Sequence, residues 1–308
     1  MFRSRMIEVL RAGLCDLVMD VGRPGRRMLG VPAGGAADPA ALAAANRLVG
    51  NDAAAAGLEI ALSGPRLQFP LGGVAALTGA RFAARRSSGA PVAWNETLVL
   101  AAGEVLSLDR PESGCRCWLA LRGGLAVPSV MGSRSTFLPS GFGGHGGRAL
   151  QAGDVLHCGV PANEMKLLRV SPPADEAEGD LRVVAGPQAG QFDDVGLAAF
   201  FGTPYRVDAA SDRRGVRLAG TPVSHRRAEL PSQGVLPGSV QVPPDGQPII
   251  LGWDGPVTGG YPVIAGVITA DVPRLAQLKP GDAVRFVTIE VEAACELAAA
   301  QWTFKELA

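Results

Sequence analysis

The sequence has no charge imbalance and no long apolar run. Its 29 Lys and Arg residues are matched by 29 Asp and Glu residues, so nothing indicates a surface for nucleic acid or for an anionic membrane. No stretch reaches the roughly 18 apolar residues that a membrane-spanning helix needs, and the N-terminus has no apolar run of signal-peptide length. We therefore predict a cytoplasmic protein that binds small molecules or other proteins, with no nucleic acid and no membrane.

Histidine and cysteine are also scarce. Three histidines and five cysteines occur in 308 residues, and the cysteines contain no C-x-x-C pair. None of the histidines has a second histidine or a cysteine at ligand spacing on a recognisable element, so we predict no metal site. We interpret the cysteines as small buried side chains in a reducing compartment.

Glycine and proline, in contrast, are abundant. The 41 Gly and 24 Pro residues are spread along the chain and bound short apolar runs of strand length, such as residues 117–121 and 248–251. A content of 47% hydrophobic and 19% charged residues is typical of a globular protein. The pattern predicts a mainly β fold with a few short helices.

The clearest helix signal begins at Asp38. This residue is followed by Pro39 and by a run of strong helix formers that ends before Gly50, which is the usual order of an N-cap, a first-turn proline and a terminating glycine. We also expect a short helix over residues 52–56 and a further one within residues 293–307.

The length of the chain favours two domains. A phrase of small residue or proline, glycine, acid and apolar run recurs at residues 102–106, 152–156 and 280–284. This repetition favours two similar barrels, although turn chemistry alone also explains it. Residues 171–180 have the composition of a linker, so we predict domains at 1–174 and 180–308.

Residues 132–136 gather hydroxyl groups and one guanidinium in a short segment. Ser133, Arg134, Ser135 and Thr136 follow one another directly. Such a cluster suits the recognition of a carboxylate, ureido or phosphate group, because arginine offers a planar fork and the hydroxyls adjust to the remaining oxygens. A hydroxyl-rich turn with the arginine in solvent is an equally good interpretation.

Two other parts of the first half are rich in glycine. Residues 20–38 carry Asp20, Arg23 and Asp38 between glycines, which predicts either tight turns before a capped helix or a backbone that approaches a ligand closely. Residues 141–147 lack the Lys-Ser/Thr ending of a phosphate-binding loop. We interpret them as a mobile surface loop.

Charged and hydroxyl side chains also cluster in the second half. Asp212 lies among three arginines in residues 211–218, which indicates a solvated salt-bridge network or, equally, an anion-facing loop. Residues 254–262 combine Asp254 and Thr258 with a Gly-Gly-Tyr sequence. This combination predicts a place where a ligand meets exposed backbone N–H groups, more than it predicts a plain hairpin turn.

The segments at residues 20–38, 132–136, 211–218 and 254–262, in their order along the chain, resemble the family of the 5-oxoprolinase C subunit. The family is also described as biotin-dependent carboxyltransferase, as allophanate hydrolase subunit 2 and as antagonist of a sporulation kinase inhibitor. Further matching motifs lie at residues 46–51, at 58–60 around Glu59, and at 241–248 beginning with Gln241. The resemblance runs from about residue 8 to about residue 286 and implies two cyclophilin-like β-barrel domains.

The resemblance implies one component of a multi-subunit enzyme. This component would act with the A and B subunits of 5-oxoprolinase as partners to open 5-oxoproline to glutamate. The complex would use ATP, and no cofactor would be bound covalently. One alternative is a carboxyltransferase component acting on urea or a similar amide, with biotin brought by another protein. Another is a non-catalytic antagonist that binds a kinase-inhibitor protein.

The resemblance and the motifs together single out a set of candidate residues. For catalysis these are Asp38, Asp254 and Arg134. For substrate binding they are Asp20, Arg23, Glu59, Ser133, Ser135, Thr136, Asp212, Gln241, Thr258, Gly259, Gly260 and Tyr261.

We expect two kinds of role from these residues. Arg134 and the Gly259–Gly260 backbone would hold an amide oxygen or a phosphorylated intermediate, and Asp254 or Asp38 would handle protons. Arg214, Val216 and Val257 stand where the family more often has Met, Tyr and Thr, which predicts altered contacts in those loops.

Overall fold

The computed structural model describes residues 6–161, 163–172, 180–226, 230–298 and 302–307, and these cluster into two compact units. The first unit takes the described residues within Met1–Arg23, Gly34–Pro173 and Trp302–Ala308, and the second takes those within Pro24–Ala33 and Ala174–Gln301. The domain boundaries 1–174 and 180–308 stay a prediction, and the clustering departs from them at residues 24–33 and 302–308.

Strands dominate both units, which confirms the mainly β prediction. In the described residues the strands are β1 (Met6–Arg11), β2 (Cys15–Met19), β3 (Gly57–Ala61), β4 (Arg66–Phe69), β5 (Gly73–Gly79), β6 (Phe82–Arg86), β7 (Thr97–Leu100), β8 (Glu104–Pro111), β9 (Arg116–Leu121), β10 (Val155–His157), β11 (Leu168–Ser171), β12 (Asp180–Ala185), β13 (Tyr205–Val207), β14 (Gly215–Ala219), β15 (Gln233–Gly234), β16 (Ser239–Gln241), β17 (Ile249–Leu251), β18 (Thr258–Gly259), β19 (Val263–Val267), β20 (Ala283–Thr288) and β21 (Thr303–Glu306).

The helices are few and short. Those found in the described ranges are α1 (Pro39–Leu48), α2 (Asp194–Gly202), α3 (Val272–Gln277) and α4 (Val291–Ala298), with 3-10 turns at Arg27–Leu29, Leu138–Ser140, Ala189–Gln191 and Thr269–Asp271. None of these helices is long and apolar enough to cross a membrane.

The first unit contains two five-stranded antiparallel sheets. Their strand orders are β10-β1-β4-β8-β6 and β2-β3-β9-β5-β7. Alternate side chains of both sheets meet in one buried cluster that includes Val9, Leu67, Leu58 and Leu119, as the two-residue period of strands requires. A two-stranded sheet, β11 with β21, completes this unit.

Helix α1 covers the second of these sheets, and its start is as predicted. Asp38 is the N-cap and accepts a hydrogen bond from the backbone N–H of Ala41 at 3.0 Å, and Pro39 occupies the first turn. Leu48 at its end packs with Val74 of β5. The helix is thus fixed by an aspartate that also belongs to the candidate site.

Of the two other helix predictions, the first is wrong and the second is confirmed only in part. Residues 52–56 form a turn, because Asp52 accepts a hydrogen bond from the backbone N–H of Ala54 and so bends the chain locally. A segment of five residues is also too short to sustain a helix alone. Within residues 293–307, α4 ends at Ala298 and β21 follows, so the helix occupies only the first part.

The second unit is a closed seven-stranded barrel, in the order β12-β19-β16-β17-β14-β13-β20. The parallel pairing of β12 with β20 closes it, and its other pairs are antiparallel. Its core contains stacked rings of Phe200 and Phe286, whose centroids lie 4.4 Å apart. The predicted barrel architecture is confirmed here.

One buried acid in the first unit has a carboxyl oxygen without a hydrogen-bond partner among the described residues. Asp16 on β2 has no exposed surface. Its Oδ2 accepts a hydrogen bond from the N–H of Gly13 at 2.5 Å, whereas its Oδ1 has no hydrogen-bond partner among the described residues. Burial raises the pKa of this carboxyl from 3.8 to about 6, against the smaller lowering effects of the Gly13 hydrogen bond and the Arg11 charge. Its ionised form therefore destabilises the fold at neutral pH.

We expect Asp16→Asn to stabilise the first unit by up to about 3 kcal/mol near pH 8, since it removes a carboxylate whose pKa is raised by about two units. The folded wild type binds more protons than the unfolded chain between the two pKa values, so it loses stability as pH rises through about 4 to 6. Below that pH window the stabilities of the wild type and of Asp16→Asn should become equal. Amide hydrogen exchange of β2 and β3 measures the effect, with exposed Asp52→Asn as the control. Equal protection of wild type and Asp16→Asn near pH 8 would contradict the expectation.

Candidate functional site

A buried carboxylate organises the polar site of the first unit. Asp20 directly follows β2, and its Oδ1 accepts hydrogen bonds from the hydroxyls of Ser133 and Ser135, both at 2.6 Å, and from the N–H of Gly22 at 2.8 Å. Its Oδ2 accepts from the backbone N–H of Arg134 at 2.6 Å. The fold thereby brings Asp20 together with three candidates that lie far from it in the chain.

The hydroxyl groups of this cluster bind other parts of the protein. Ser135 Oγ also accepts from the N–H of Asp20 at 2.9 Å, and Ser133 Oγ accepts from the N–H of Ser135 at 2.9 Å. Thr136 donates its hydroxyl to the carbonyl of Val18 at 3.0 Å. All three side chains are buried. The geometry therefore gives them a supporting position, and substrate binding by them stays a prediction.

Arg23 is buried in the same cluster. Its Nη2 donates to the carbonyl of Ser135 at 2.5 Å, and its guanidinium carbon lies 5.0 Å from the centre of the Phe142 ring. This cation–π contact helps to stabilise a charge that is only 1% exposed. Arg23 thus supports the hydroxyl segment from the interior side.

Part of the glycine-rich segment 141–147 packs against this cluster, so the interpretation as a surface loop is wrong for Gly143 and Gly144, while Gly141 and Gly146 are exposed. Gly143 and Gly144 are buried. A Cβ atom at Gly143 would lie 2.1 Å from the carbonyl oxygen of Ser135, and one at Gly144 would lie 1.9 Å from Thr136 Oγ1. The glycines are therefore needed for close approach of two chain segments. Since this space is filled by protein, the loop does not fit a cradle for phosphate groups.

Arg134 differs from its neighbours because its side chain is exposed. Its Nε donates to the carbonyl of Val127 at 3.0 Å. Its backbone is held by Asp20 and lies between two buried serines. The residue is thus fixed at its base and at Nε.

Two further acids lie beside Asp20 in the structure of the first unit. The N–H of Ala36 donates to the carbonyl of Asp20 at 2.9 Å, and the N–H of Ala37 donates to Glu59 Oε2 at 2.7 Å. The next residue is Asp38, the N-cap of α1. Asp20, Glu59 and Asp38 are therefore linked through one short stretch of backbone.

Asp38 has an unusual protonation behaviour. Burial raises the pKa of this carboxyl from 3.8 to about 6, hydrogen bonds from the N–H groups of Ala41 and Ala40 lower it, and the negative charge of Glu59 raises it further. Groups with a pKa near the working pH exchange protons most effectively. Asp38 is therefore suited to proton transfer.

The two candidate acids of the second unit, Asp254 and Asp212, form ion pairs with arginines. Arg213 donates Nε to Asp254 Oδ2 at 2.8 Å and Nη2 to Oδ1 at 3.3 Å, and both side chains are largely buried. Arg214 pairs with Asp212 at 2.8 Å, where both side chains are exposed. Residues 211–218 thus take part in two salt bridges, a solvated one within the segment and a buried one to Asp254. A catalytic role for Asp254 stays a prediction.

The remaining candidates of the second unit surround Gln241. Its Nε2 donates to the carbonyl of Tyr261 at 3.3 Å, and a Cβ atom at Gly259 would lie 2.5 Å from that nitrogen. Thr258 and Gly259 form β18, which pairs with β15, and Gly260 accepts a hydrogen bond from the N–H of Leu230. Their part in substrate binding stays a prediction.

Tyr261 borders an open groove of about 830 Å³ in the second unit. Arg214, Arg217, Asp245 and Gln247 also line this groove. Arg217 and residues 243–248 lie in segments that were noted in the sequence, but they were not included among the candidate site residues, because a Pro-Asp-Gly phrase signals a turn and does not show what the turn faces. Val216, in contrast, is half-buried against the barrel core.

Within the described ranges, no group of three or more His, Cys, Asp or Glu side chains could hold a metal ion. The acids of both candidate sites are instead engaged with N–H groups, hydroxyls and arginines.

Comparisons of the sequence and of the structure with known proteins lead to one group of related proteins. Residues 29–288 match the family model for the carboxyltransferase domain, subdomain A and B. The chain is 42% identical to the 5-oxoprolinase C subunit of Escherichia coli K12 over 94% of its own length and 93% of that protein. It is 33% identical to urea amidolyase of Lachancea kluyveri over 97% of this chain and 18% of that protein. The crystal structure of Kluyveromyces lactis urea carboxylase superimposes with a TM-score of 0.87 at 31% identity, over 96% of this chain and 28% of that one.

The buried ion pair of the second unit leads to a prediction about stability. Arg213→Met leaves the Asp254 charge buried without its guanidinium partner, which should lower the local free energy of unfolding by about 3–5 kcal/mol. Arg214→Met, which breaks the exposed pair, should cost at most about 1 kcal/mol. Hydrogen exchange of β14 and β17 compares the two variants.

The double variant Arg213→Met/Asp254→Leu tests the cause. It removes both charges, so it should regain most of the stability lost in the single variant. A single variant as stable as Arg214→Met would show that the buried pair does not hold these loops together.

Proposed function

The chain belongs to the carboxyltransferase domain family, subdomain A and B, and we propose that it is the C subunit of an ATP-dependent 5-oxoprolinase. The observation that carries this proposal is the 42% identity to the C subunit of the Escherichia coli enzyme, which extends over nearly the full length of both chains. The match to urea amidolyase involves only 18% of that larger protein.

The proposed activity belongs to a complex. The A and B subunits of 5-oxoprolinase would act with this chain to add water across the lactam C–N bond of 5-oxoproline and release glutamate. The complex would also hydrolyse ATP to ADP and phosphate with a second water molecule, so that the overall reaction balances. Because Gly143 and Gly144 are packed against protein and residues 141–147 do not fit a phosphate cradle, we assign no ATP-dependent step to this chain. A cytoplasmic location stays a prediction.

Within this chain we assign proton transfer to Asp38. Opening the lactam requires a base that takes a proton from the attacking water, and the ring nitrogen must gain a proton as the C–N bond breaks. A carboxyl with a pKa of about 6 is largely ionised near neutral pH and can take the first proton. Asp254 would have to break its ion pair with Arg213 before acting in the same way.

A second candidate function is supported by the urea-related relatives. Urea amidolyase and urea carboxylase match nearly the whole length of this chain at 33% and 31% identity. In this case the chain would transfer a carboxyl group to urea or a similar amide, with biotin supplied by another protein. A non-catalytic antagonist of a kinase inhibitor stays a prediction without such support.

The first test is reconstitution. We expect the chain, purified with the A and B subunits from the same organism, to release glutamate from 5-oxoproline only when all three proteins and ATP are present. Omitting each component in turn is the control. A stable three-protein complex that releases no glutamate would contradict the proposal, and biotin-dependent carboxylation of urea would then be assayed.

The second test separates the two roles of Asp38. Asparagine caps helices as well as aspartate does, and it removes a buried carboxylate whose pKa is raised, so Asp38→Asn should not lower the melting temperature near neutral pH and should raise it by the reasoning given for Asp16. It should lower kcat by about 100-fold or more through loss of the base. In the wild-type complex, kcat/KM should fall as pH drops below about 6, because Asp38 becomes protonated there.

The variant Glu59→Gln tests the assignment of Asp38 as the base by changing a neighbouring acid. It removes a negative charge that raises the pKa of Asp38, so the acidic limb of the pH profile should move to lower pH. A profile unchanged in Glu59→Gln, or full activity in Asp38→Asn, would exclude Asp38 as the base.

A further inference from the structure

Arg134 is held in one orientation by contacts that leave the end of its side chain open. Asp20 accepts from its backbone N–H at 2.6 Å, and the residues on both sides, Ser133 and Ser135, are bound to the same carboxylate. Its Nε donates to the carbonyl of Val127 at 3.0 Å. Both the backbone and the stem of the side chain are therefore fixed before any ligand binds.

The two terminal nitrogens of Arg134 have no hydrogen-bond partner in the part of the chain that the structure describes. In the ranges that the structure describes, neither Nη1 nor Nη2 donates a hydrogen bond to another residue or forms an ion pair, and the side chain is exposed. The N–H groups that remain lie at the planar end of the guanidinium. Two parallel hydrogen bonds to a carboxylate are the interaction that this end makes best.

The turn that precedes Arg134 is strained. The backbone groups of Val130 and Ser133 bond to each other in both directions, at 2.8 and 3.2 Å. Both central residues, Met131 and Gly132, have left-handed backbone angles, with φ of 55° and 89°. Methionine seldom adopts this conformation, and residues kept in it concentrate at ligand-binding sites.

The residues that accompany Arg134 in the sequence present aliphatic surface. Met131 and Leu138, on the same segment, are 44% and 40% exposed, and Val21, next to Asp20, is 50% exposed. Apolar side chains around a charge reduce its contact with water when a ligand covers them, which strengthens an ion pair. A ligand with a carboxylate and an apolar ring face matches this combination.

We propose that Arg134 binds the carboxylate of 5-oxoproline and determines the specificity for an acidic lactam. The proposal rests on the function proposed above, and it replaces the expectation that Arg134 holds the amide oxygen. The carboxylate lies on the ring carbon next to nitrogen, away from the carbonyl that is attacked. Its binding would hold the ring without taking part in the bond that breaks.

The test uses the complete three-protein complex and compares 5-oxoproline with its carboxamide, which keeps the ring and loses the negative charge. KM is measured for 5-oxoproline, and the inhibition constant is measured for the carboxamide. Arg134→Gln should raise KM for 5-oxoproline by about 30-fold or more and change the inhibition constant of the carboxamide by less than about 3-fold. Arg134→Lys keeps the charge without the planar fork and should be intermediate.

Arg110→Gln provides the matched control, since Arg110 is an exposed arginine on β8 and should leave both constants unchanged. An Arg134→Gln complex in which both constants rise equally, or neither rises, would overturn the proposal. A wild-type complex that does not open 5-oxoproline would refute the proposed function itself, and this proposal with it.

Discussion

The hydrogen bonds around the Asp20 carboxylate determine the arrangement of the first unit's polar site. Two hydroxyls and two backbone N–H groups donate to this one buried side chain, and each bond to a charged acceptor is worth about 1.5–3 kcal/mol. The carbonyl of the same residue accepts the N–H of Ala36, which leads directly to Asp38. The end of one strand therefore positions both the segment that carries Arg134 and the segment that begins α1.

In this arrangement the residues that hold the site in place differ from the residue that can bind a ligand. A hydroxyl that already donates to a carboxylate and accepts from an N–H has little capacity left for a ligand, and that is the condition of Ser133 and Ser135. The adjoining Arg134 keeps its terminal nitrogens open to solvent. A sequence cluster of hydroxyls and guanidinium therefore contains one group suited to ligand binding and several that hold it in place.

Some of this could be predicted from the sequence, because it depends on short-range chemistry. The N-cap at Asp38, the start of α1, the mainly β fold and the grouping of hydroxyls with Arg134 all follow from neighbouring residues. The pair between Arg213 and Asp254 could not be predicted, since its partners are separated by 41 residues and meet only when β14 pairs with β17. The packing of Gly143 against Ser135 was missed for a related reason, because glycine signals freedom of the backbone equally in an open loop and in a tight contact.

The two acids proposed for proton transfer illustrate why residue type alone was insufficient. Asp38 and Asp254 are both buried and both follow segments that contain glycine. Asp38 faces N–H groups and the negative charge of Glu59, whereas Asp254 faces a guanidinium that occupies both of its oxygens. Burial is the main cause that raises the pKa of Asp38, and the negative charge of Glu59 adds to it, whereas Asp254 lies in a buried ion pair that stabilises the fold. The surroundings of each carboxylate, which only the folded structure supplies, therefore distinguish two acids that look alike in the sequence.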